Sequence, residues 1–425
     1  MKRPPVKGTR DFYPPDMARR NWIIDGWKKV SLRNGFEEYD GPIFEYLKMF
    51  QLKSGDEIAE QLFSLTDRGG RELALRPEIT PTMARMINQQ INALPKPIKW
   101  FSVPRLFRAE RPQKGRLREF FQWNVDIIGV DDVLADAEII FTTIDYLSSV
   151  GLTPRDIRVK ISSRKLLACA LTNIGIREKQ LDPLYGLLDK YNKIPADTFE
   201  KMLPDQVPDS AAAKKIMDLM SATTLSEVPE IAGTNAEVDA AIQKLARLKD
   251  LLEQMGVWQF CDFYPSIVRG LAYYTGVVFE VYEFAQELRA IGGGGRYDNL
   301  LQDFGGPSVA ATGMGMGDCV LGILLEEKGL LEKQLQKCQL DYFIACADKQ
   351  YFQKVIEITA KLRRTGKAAN FAYKPIGLSK QLKQASAQGA KECIIIGSEI
   401  ESGRLVVKDM ATGEQKTTEL DNLLK

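Results

Sequence analysis

The 425-residue chain contains no histidine. Without imidazole there is no ordinary general base, proton shuttle or nitrogen metal ligand titrating near neutrality. A Ser-His-Asp hydrolase and a histidine-ligated zinc enzyme are therefore excluded. Cysteine is scarce as well: Cys169, Cys261, Cys319, Cys338, Cys346 and Cys393 are scattered, with no Cys-x-x-Cys pair. That spacing makes no zinc site. Thiols among apolar neighbours predict buried, reduced cysteines and a cytoplasmic protein. Net charge is also nearly missing, with 58 Lys and Arg against 56 Asp and Glu. Any nucleic-acid contact must then come from local patches. No stretch approaches the roughly 20 apolar residues of a membrane span. The opening MKRPPVKGTRDFYPPD has neither an apolar h-region nor an arginine-rich amphipathic leader, so no targeting segment is expected.

What is present reads as globular: 44% hydrophobic and 27% charged, with length for two or three domains. The most informative stretch is FRAERPQKGRLREFFQWNVDIIG, residues 107–129, which predicts a strand, a charged loop and a second strand. In the second strand a period of two puts Phe121, Trp123, Val125 and Ile127 on one face. Phe120, Gln122, Asn124 and Asp126 fall on the other. The loop gathers Arg108, Glu110, Arg111, Lys114, Arg116 and Arg118 around one turn. A polar solvent-facing strand is the bland alternative; a hairpin holding a polyanion over a flat heterocycle is the sharper one.

Upstream, residues 15–34 predict an amphipathic helix with Asp16 as cap and Trp22, Ile23, Trp27 and Val30 at helical spacing. FEEYDGPIFEY then predicts a strand carrying Pro42, of the edge or bulged kind. A short strand over 72–75 leads to Arg76-Pro77-Glu78-Ile79-Thr80-Pro81. Thr80 with Pro81 has the form of a cap followed by proline at the first helical position, and it displays Glu78 at a strand-to-helix junction. Downstream, residues 163–249 predict a small inserted helical domain, interrupted by Pro183, Pro195, Pro204 and Pro229. The β pattern returns with VVFEVY, then AIGGGGRYDNL. The glycines Gly292 to Gly295 lack the following Lys-Ser/Thr of a phosphate loop. They mark either close approach of a ligand to the backbone or a bulge. TGMGMGDCVLGILLEEKGLL predicts a glycine-rich strand running into an apolar helix. After a polar stretch at 333–339, strands and helices alternate as in a small α/β domain. Its residues 349–383 carry nine Lys and Arg against Glu357 alone. Solvated helix faces or a phosphate footprint would explain that charge.

Taken together, KGTRDFYPPD, LRPE-x-T at 75–80, FRAERPQKGRLREF, RGLAYYTGVVFE and GGGGRYD make the chain resemble a class II aminoacyl-tRNA synthetase of the histidyl family. The resemblance implies an α/β (α+β) fold: an antiparallel catalytic sheet flanked by helices, a helical insertion and a C-terminal mixed α/β anticodon-binding domain. It divides the chain at 1–162 and 256–330 for the catalytic core, 163–255 for the insertion and 331–425 for the last domain. The activity implied is activation of L-histidine by ATP with Mg2+, then transfer to the 3′ end of tRNA(His). A homodimer with no zinc and no membrane contact is implied, its interface formed by the first helix and the Pro42 strand. By position, Arg108 and Arg269 would serve the α-phosphate. Glu110, Arg116 and Phe120 would hold the rest of ATP. Glu78, Thr80 and Gln122 would bind the ammonium, and Asp126, Tyr273 and Tyr274, with Arg269, would complete the histidine pocket. The chain departs from the family pattern at Ala272, at Phe121 and Asp126, and at Gly317-Asp318-Cys319-Val320, where an arginine for the γ-phosphate is usual. A histidyl-synthetase-like regulatory subunit of ATP phosphoribosyltransferase is the alternative. Such subunits typically lack the C-terminal domain and the catalytic arginines present here.

Overall fold

The computed structural model describes residues 4–51, 61–191, 194–267, 274–285, 287–331 and 340–423. Arg269, Tyr273, Cys338 and the polar stretch at 333–339 lie outside the described residues. The chain divides into two compact units, Met1–Lys333 and Gln334–Lys425.

The strands of the first unit are, in chain order, β1 (Glu37–Glu38), β2 (Phe44–Tyr46), β3 (Ser64–Thr66), β4 (Glu72–Leu75), β5 (Ile98–Ser102), β6 (Arg105–Phe107), β7 (Glu119–Ile128), β8 (Ile157–Ser163), β9 (Cys261–Phe263), β10 (Val277–Glu283), β11 (Gly292–Arg296) and β12 (Ala311–Gly317). One large sheet runs β1-β5-β7-β12-β11-β10-β8-β9, with β6 paired to the start of β7. From β5 to β8 every neighbour is antiparallel, and the edge strands β1 and β9 are parallel to theirs. The expected hairpin is therefore real, and its second strand lies inside the sheet.

The alternation in β7 decides which face is core. Phe121, Trp123, Val125 and Ile127 are buried against helices. Trp123 stacks on Trp27 at 6.2 Å, meets Tyr146 edge-on at 5.5 Å, and donates from Nε1 to Ser31 Oγ at 2.8 Å. Trp27 comes from the helix Pro14–Arg33 and Tyr146 from Val133–Ser149. Three large rings with a satisfied indole bury the area that anchors a core of this size.

Several sequence expectations are corrected. Asp16 does not cap the first helix: Tyr13 holds the cap position in an extended conformation, and Pro14 and Pro15 start the helix where no donor is needed. Asp16 sits in the first turn, where its charge suits the helix dipole. The single strand expected over FEEYDGPIFEY is two: β1 joins the large sheet and β2 joins a three-stranded sheet, β2-β4-β3. Between them the Asp40 carboxylate and Gly41 carbonyl accept from Arg76 Nη1 at 2.7 and 2.8 Å, so the chain turns around a buried guanidinium. The helix after β4 spans Thr80–Gln90, with Ile79 at the cap and Thr80 inside the first turn.

The segment Arg164–Ile174 to Ala236–Gln254 is helical, yet Pro183, Pro204 and Pro229 lie within helices, not between them. Pro183 removes one backbone hydrogen bond, but Leu184, Tyr185, Leu187 and Leu188 bury beside it and packing overrides the local cost. The Ala236–Gln254 helix packs on Val133–Ser149 and Arg164–Ile174, so one continuous set of buried side chains runs from the sheet into this segment.

The second unit has strands β13 (Tyr342–Cys346), β14 (Ala369–Phe371), β15 (Glu392–Ile396), β16 (Arg404–Asp409) and β17 (Gln415–Glu419). Their order is β14-β13-β15-β16-β17, parallel around β13 and antiparallel beyond β15. Alternation fills both faces: Ile344, Ile394 and Val407 pack on one side, Phe343, Cys393 and Ile395 on the other. Helices Phe352–Arg364 and Leu378–Ala387 cover them. In the basic stretch, Glu357 accepts from Lys354 and Lys361 at 2.8 Å each, and its carboxyl is pulled down to about 2 by those two lysines.

Candidate functional site

The face of β7 opposite the core carries Phe120, Gln122, Asn124 and Asp126, and pairing extends that face across the sheet. Asp126 stands beside Gly313 and then Gly295; Asn124 beside Gly315 and then Gly293; Gln122 beside Gly317. Neighbours directly opposite in a ladder share a face, so β11 and β12 offer a floor without side chains. The glycine run is thus a fully paired strand, not a bulge or a turn. The bare floor is required: a Cβ on Gly313 would stand 2.1 Å from Asp126 Oδ1. One on Gly315 would stand 3.0 Å from Gln122 Cδ, and one on Gly295 3.0 Å from the Tyr274 ring. The polar side chains of β7 and the Tyr274 ring lie across the glycines.

Over the front of this floor opens a cleft of about 160 Å³ lined by Arg108, Glu110, Arg116, Phe120, Gln122 and Gly315. Arg108 donates from Nε to the Pro77 carbonyl at 3.1 Å and sets its guanidinium 5.3 Å from the Phe120 ring centre. Glu110 is buried and ion-paired with Arg116. Lys114 and Gly115 form the tip of the hairpin between Gln113 and Arg116, with Gly115 at φ +74°. Two of the other charges gathered by the loop have partners of their own. Lys114 pairs with Glu327 at 3.1 Å, and Arg118 donates from Nε to the Glu110 carbonyl at 2.9 Å. Two arginines, one acid and one ring remain at the cleft, the set needed to hold phosphates beside an aromatic base.

Behind the cleft, Asp126 and Tyr274 are buried. Tyr274 packs with Tyr39, Ile79, Val278 and Tyr297 in one apolar cluster. Ile79 separates Glu78 and Thr80, both buried at the β4-to-helix junction, so that junction backs onto the same cluster. The Tyr297 hydroxyl donates to Asp126 Oδ1, while Oδ2 is buried with no hydrogen-bond partner among the described residues. The buried Tyr39 hydroxyl is equally without one. Burial pushes the Asp126 carboxyl up to about 7, against the downward pull of Tyr297. The Tyr39 phenol is raised well above its usual value by burial, then by Asp126. An acceptor and a hydroxyl left unsatisfied in one apolar pocket are costly unless a polar ligand completes them.

Tyr39 and Tyr297 were not found by sequence reasoning, and neither was the buried pair Arg296–Asp136, joined at 2.6 Å, which pins the end of β11 to the Val133–Ser149 helix. Asp126 and Tyr297 lie 171 positions apart, and the only local signal was Arg-Tyr-Asp after the glycines. At the position of the missing arginine, Cys319 and Val320 line the cleft instead. Cys319 is only partly buried, unlike Cys169, Cys261, Cys346 and Cys393, and its thiol is pushed up to about 12 by burial and the neighbouring Asp318. Asp318 is buried, accepting from the Phe121 amide at 2.9 Å and from Arg10 at 2.7 Å.

Comparison with known proteins agrees with this geometry. The family model described as Histidyl-tRNA synthetase matches residues 8–317, and the one described as Anticodon binding domain matches 341–425. A chloroplastic/mitochondrial histidine–tRNA ligase of Arabidopsis thaliana is 38% identical, covering 99% of this chain and 85% of its own length. Among solved structures, a histidyl-tRNA synthetase from Nostoc sp. PCC 7120 superposes with a TM-score of 0.83 over 100% of this chain and 98% of its own, at 22% identity. A protein titled ATP phosphoribosyltransferase regulatory subunit/histidyl-tRNA synthetase from Bacillus halodurans C superposes at 0.76 over 94% and 100%, at 24% identity. At those identities the two structures share the fold alone.

Proposed function

The chain belongs to the histidyl-tRNA synthetase family and is an ATP-dependent histidine–tRNA ligase, and we propose how its substrate face performs that reaction. ATP lies in the front cleft with its adenine on Phe120 and positioned by Glu110. Its α-phosphate meets Arg108 and Arg269, and its outer phosphates meet Arg116. The histidine carboxylate attacks the α-phosphorus in line and pyrophosphate leaves. The two arginines stabilise charge that grows on the phosphoryl oxygens. The ammonium is held by Glu78, Thr80 and Gln122. The imidazole enters the buried pocket, where Asp126 and Tyr274 take its two nitrogens and Tyr273 and Arg269 complete the enclosure. An amino acid without those nitrogens leaves buried polar groups unpaired and is rejected. In the second step the acyl group passes to the terminal ribose of tRNA(His). With no histidine in the chain, the ribose proton goes to the departing adenylate phosphate.

The observation that carries this reading is the buried, half-satisfied Asp126 beside the arginine-lined cleft on one glycine floor. Mg2+ is proposed to arrive on the ATP phosphates, its preferred ligands. The only carboxylate lining the cleft among the described residues, Glu110, is ion-paired to Arg116, and no group of three potential ligands occurs among those residues. No zinc is proposed. We take residues 163–255 as the insertion, flanked by catalytic parts 1–162 and 256–330, with 331–425 reading the anticodon. A cytoplasmic homodimer is proposed; no helix among the described residues is long and apolar enough to cross a membrane. Its interface would use the first helix and the strand after Pro42, β2, where Phe44 and Tyr46 are exposed. Charging of a tRNA(His) transcript with labelled histidine tests the whole reading. Charging that requires histidine, ATP and Mg2+ is expected, and histidine binding without charging would favour a regulatory protein.

A further inference from the structure

The substrate face does not end at the glycine floor. Asn124, Gly315, Gly293, Glu280 and Lys160 stand side by side across five strands, and β9 adds Asp262 beside Lys160. At about 4.8 Å per strand, Lys160 is roughly 19 Å from Asn124, a few nucleotides away. There the sheet edge and the helical segment enclose a cleft of about 700 Å³, much larger than the one at Arg108. One wall carries Lys160, Tyr264, Tyr282 and Phe284; Trp258 and Lys249 face it from the helical side.

The chemistry of this cleft is that of a nucleobase site. Phe284 is exposed, and Trp258 keeps part of its ring accessible. The Lys160 ammonium sits 3.9 Å from the Tyr264 ring centre and 5.1 Å from that of Tyr282. Lys249 stands 5.7 Å from Trp258, and Arg158 5.9 Å from Phe284. Rings backed by cations are what unpaired bases stack on. Glu283 lines the same cleft, is 9% exposed, and has a buried Oε2 with no partner among the described residues. A carboxylate only accepts, so it matches the exocyclic amine of a base and not a phosphate. Asp262 pairs with Arg158 at 3.3 Å, which offsets the cationic wall. Stacking, not phosphate neutralisation, then supplies the affinity.

We propose that this cleft binds an unpaired, amine-bearing nucleotide of the tRNA 3′ end, a few nucleotides before the acylated ribose. This rests on the ligase reading and gives the helical segment a task in it, as the second wall. The test uses the full-length protein, with Phe284→Ala and Trp258→Ala made separately. Dissociation constants are measured for intact tRNA(His) transcript and for one lacking its unpaired 3′ nucleotides. Loss of one stacked base corresponds to roughly tenfold weaker binding. Each variant should show that loss on intact tRNA at low and at moderate salt, show none on the truncated tRNA, and keep histidine-dependent ATP–pyrophosphate exchange. Unchanged affinity in both variants overturns the proposal. Equal losses on both RNAs, or exchange falling together with binding, overturn it too. A wild-type protein without exchange would instead defeat the ligase reading, while the two binding constants would still report on the cleft.

Discussion

Asp126 shows how one residue can be costly to the fold and central to the site. Its folded carboxyl titrates near 7 because burial disfavours the charge, whereas an unfolded aspartate titrates near 4. Between those values the native state keeps a proton that the unfolded chain has lost. Stability therefore falls as pH rises from about 4 to about 7 and stays lower above it, by up to roughly 4 kcal/mol. Asp126→Asn removes that penalty. Thermal unfolding should show the ligand-free variant matching wild type at pH 4 and melting higher at pH 8, while its KM for histidine rises sharply. A variant less stable at pH 8 would contradict the assignment. Arg116 makes the complementary case. With Val320 lining the cleft where an arginine is usual, the proposed hold of Arg116 on the outer phosphates would have less help. Steady-state exchange should show Arg116→Ala raising the ATP KM at least tenfold, with the histidine KM little changed. An unaltered ATP KM would mean that another group holds those phosphates. Residues such as Gln122 and Arg108 were legible because they sit in one contiguous motif. Tyr39 and Tyr297 were not, since their meaning depends on Asp126, which is distant from both in sequence.

Among elements, β7 was the most legible, because a period of two separates its faces unambiguously and Trp123 and Asp126 cannot exchange sides. The glycine strands were half legible. Their composition announced close approach, but only pairing reveals that the approaching groups are the side chains of β7 and Tyr274. Gly313→Ala tests that role. Its new methyl would collide with Asp126 Oδ1, so exchange kinetics should show a histidine KM raised by about 10²-fold or more with the ATP KM much less affected, on the scale of 1 Å misplacements. Equal effects on both substrates would indicate a general collapse of the sheet. Boundaries were the least legible, for physical reasons. The strand expected over FEEYDGPIFEY breaks because Arg76, remote in sequence, gathers the backbone at Gly41. Pro183 failed to end its helix because four buried neighbours hold it in place.

For the whole molecule, near-neutral charge conceals a strong asymmetry. Residues 349–383 hold nine basic side chains and one acid, while the full chain is only +2. That stretch lies in the unit matched by the anticodon-binding family. Transcripts with altered anticodons should therefore lose charging efficiency through the tRNA KM, without any change in exchange. Equal efficiency across anticodons would show that the second unit binds without reading sequence. The absence of histidine from the whole chain limits the mechanism at the same scale. Under the proposed mechanism the ribose proton is left to the adenylate phosphate, while the buried Asp126 serves recognition of the imidazole.

The most direct measurement is amino-acid-dependent ATP–pyrophosphate exchange, run with each of the twenty amino acids on wild type and with histidine on Arg108→Ala. Exchange with histidine alone, falling by about 10²- to 10³-fold in kcat in the variant, is the predicted result. Exchange with other amino acids at comparable rates, or an Arg108→Ala enzyme as fast as wild type, would contradict the claim that the β7 face both selects histidine and activates it.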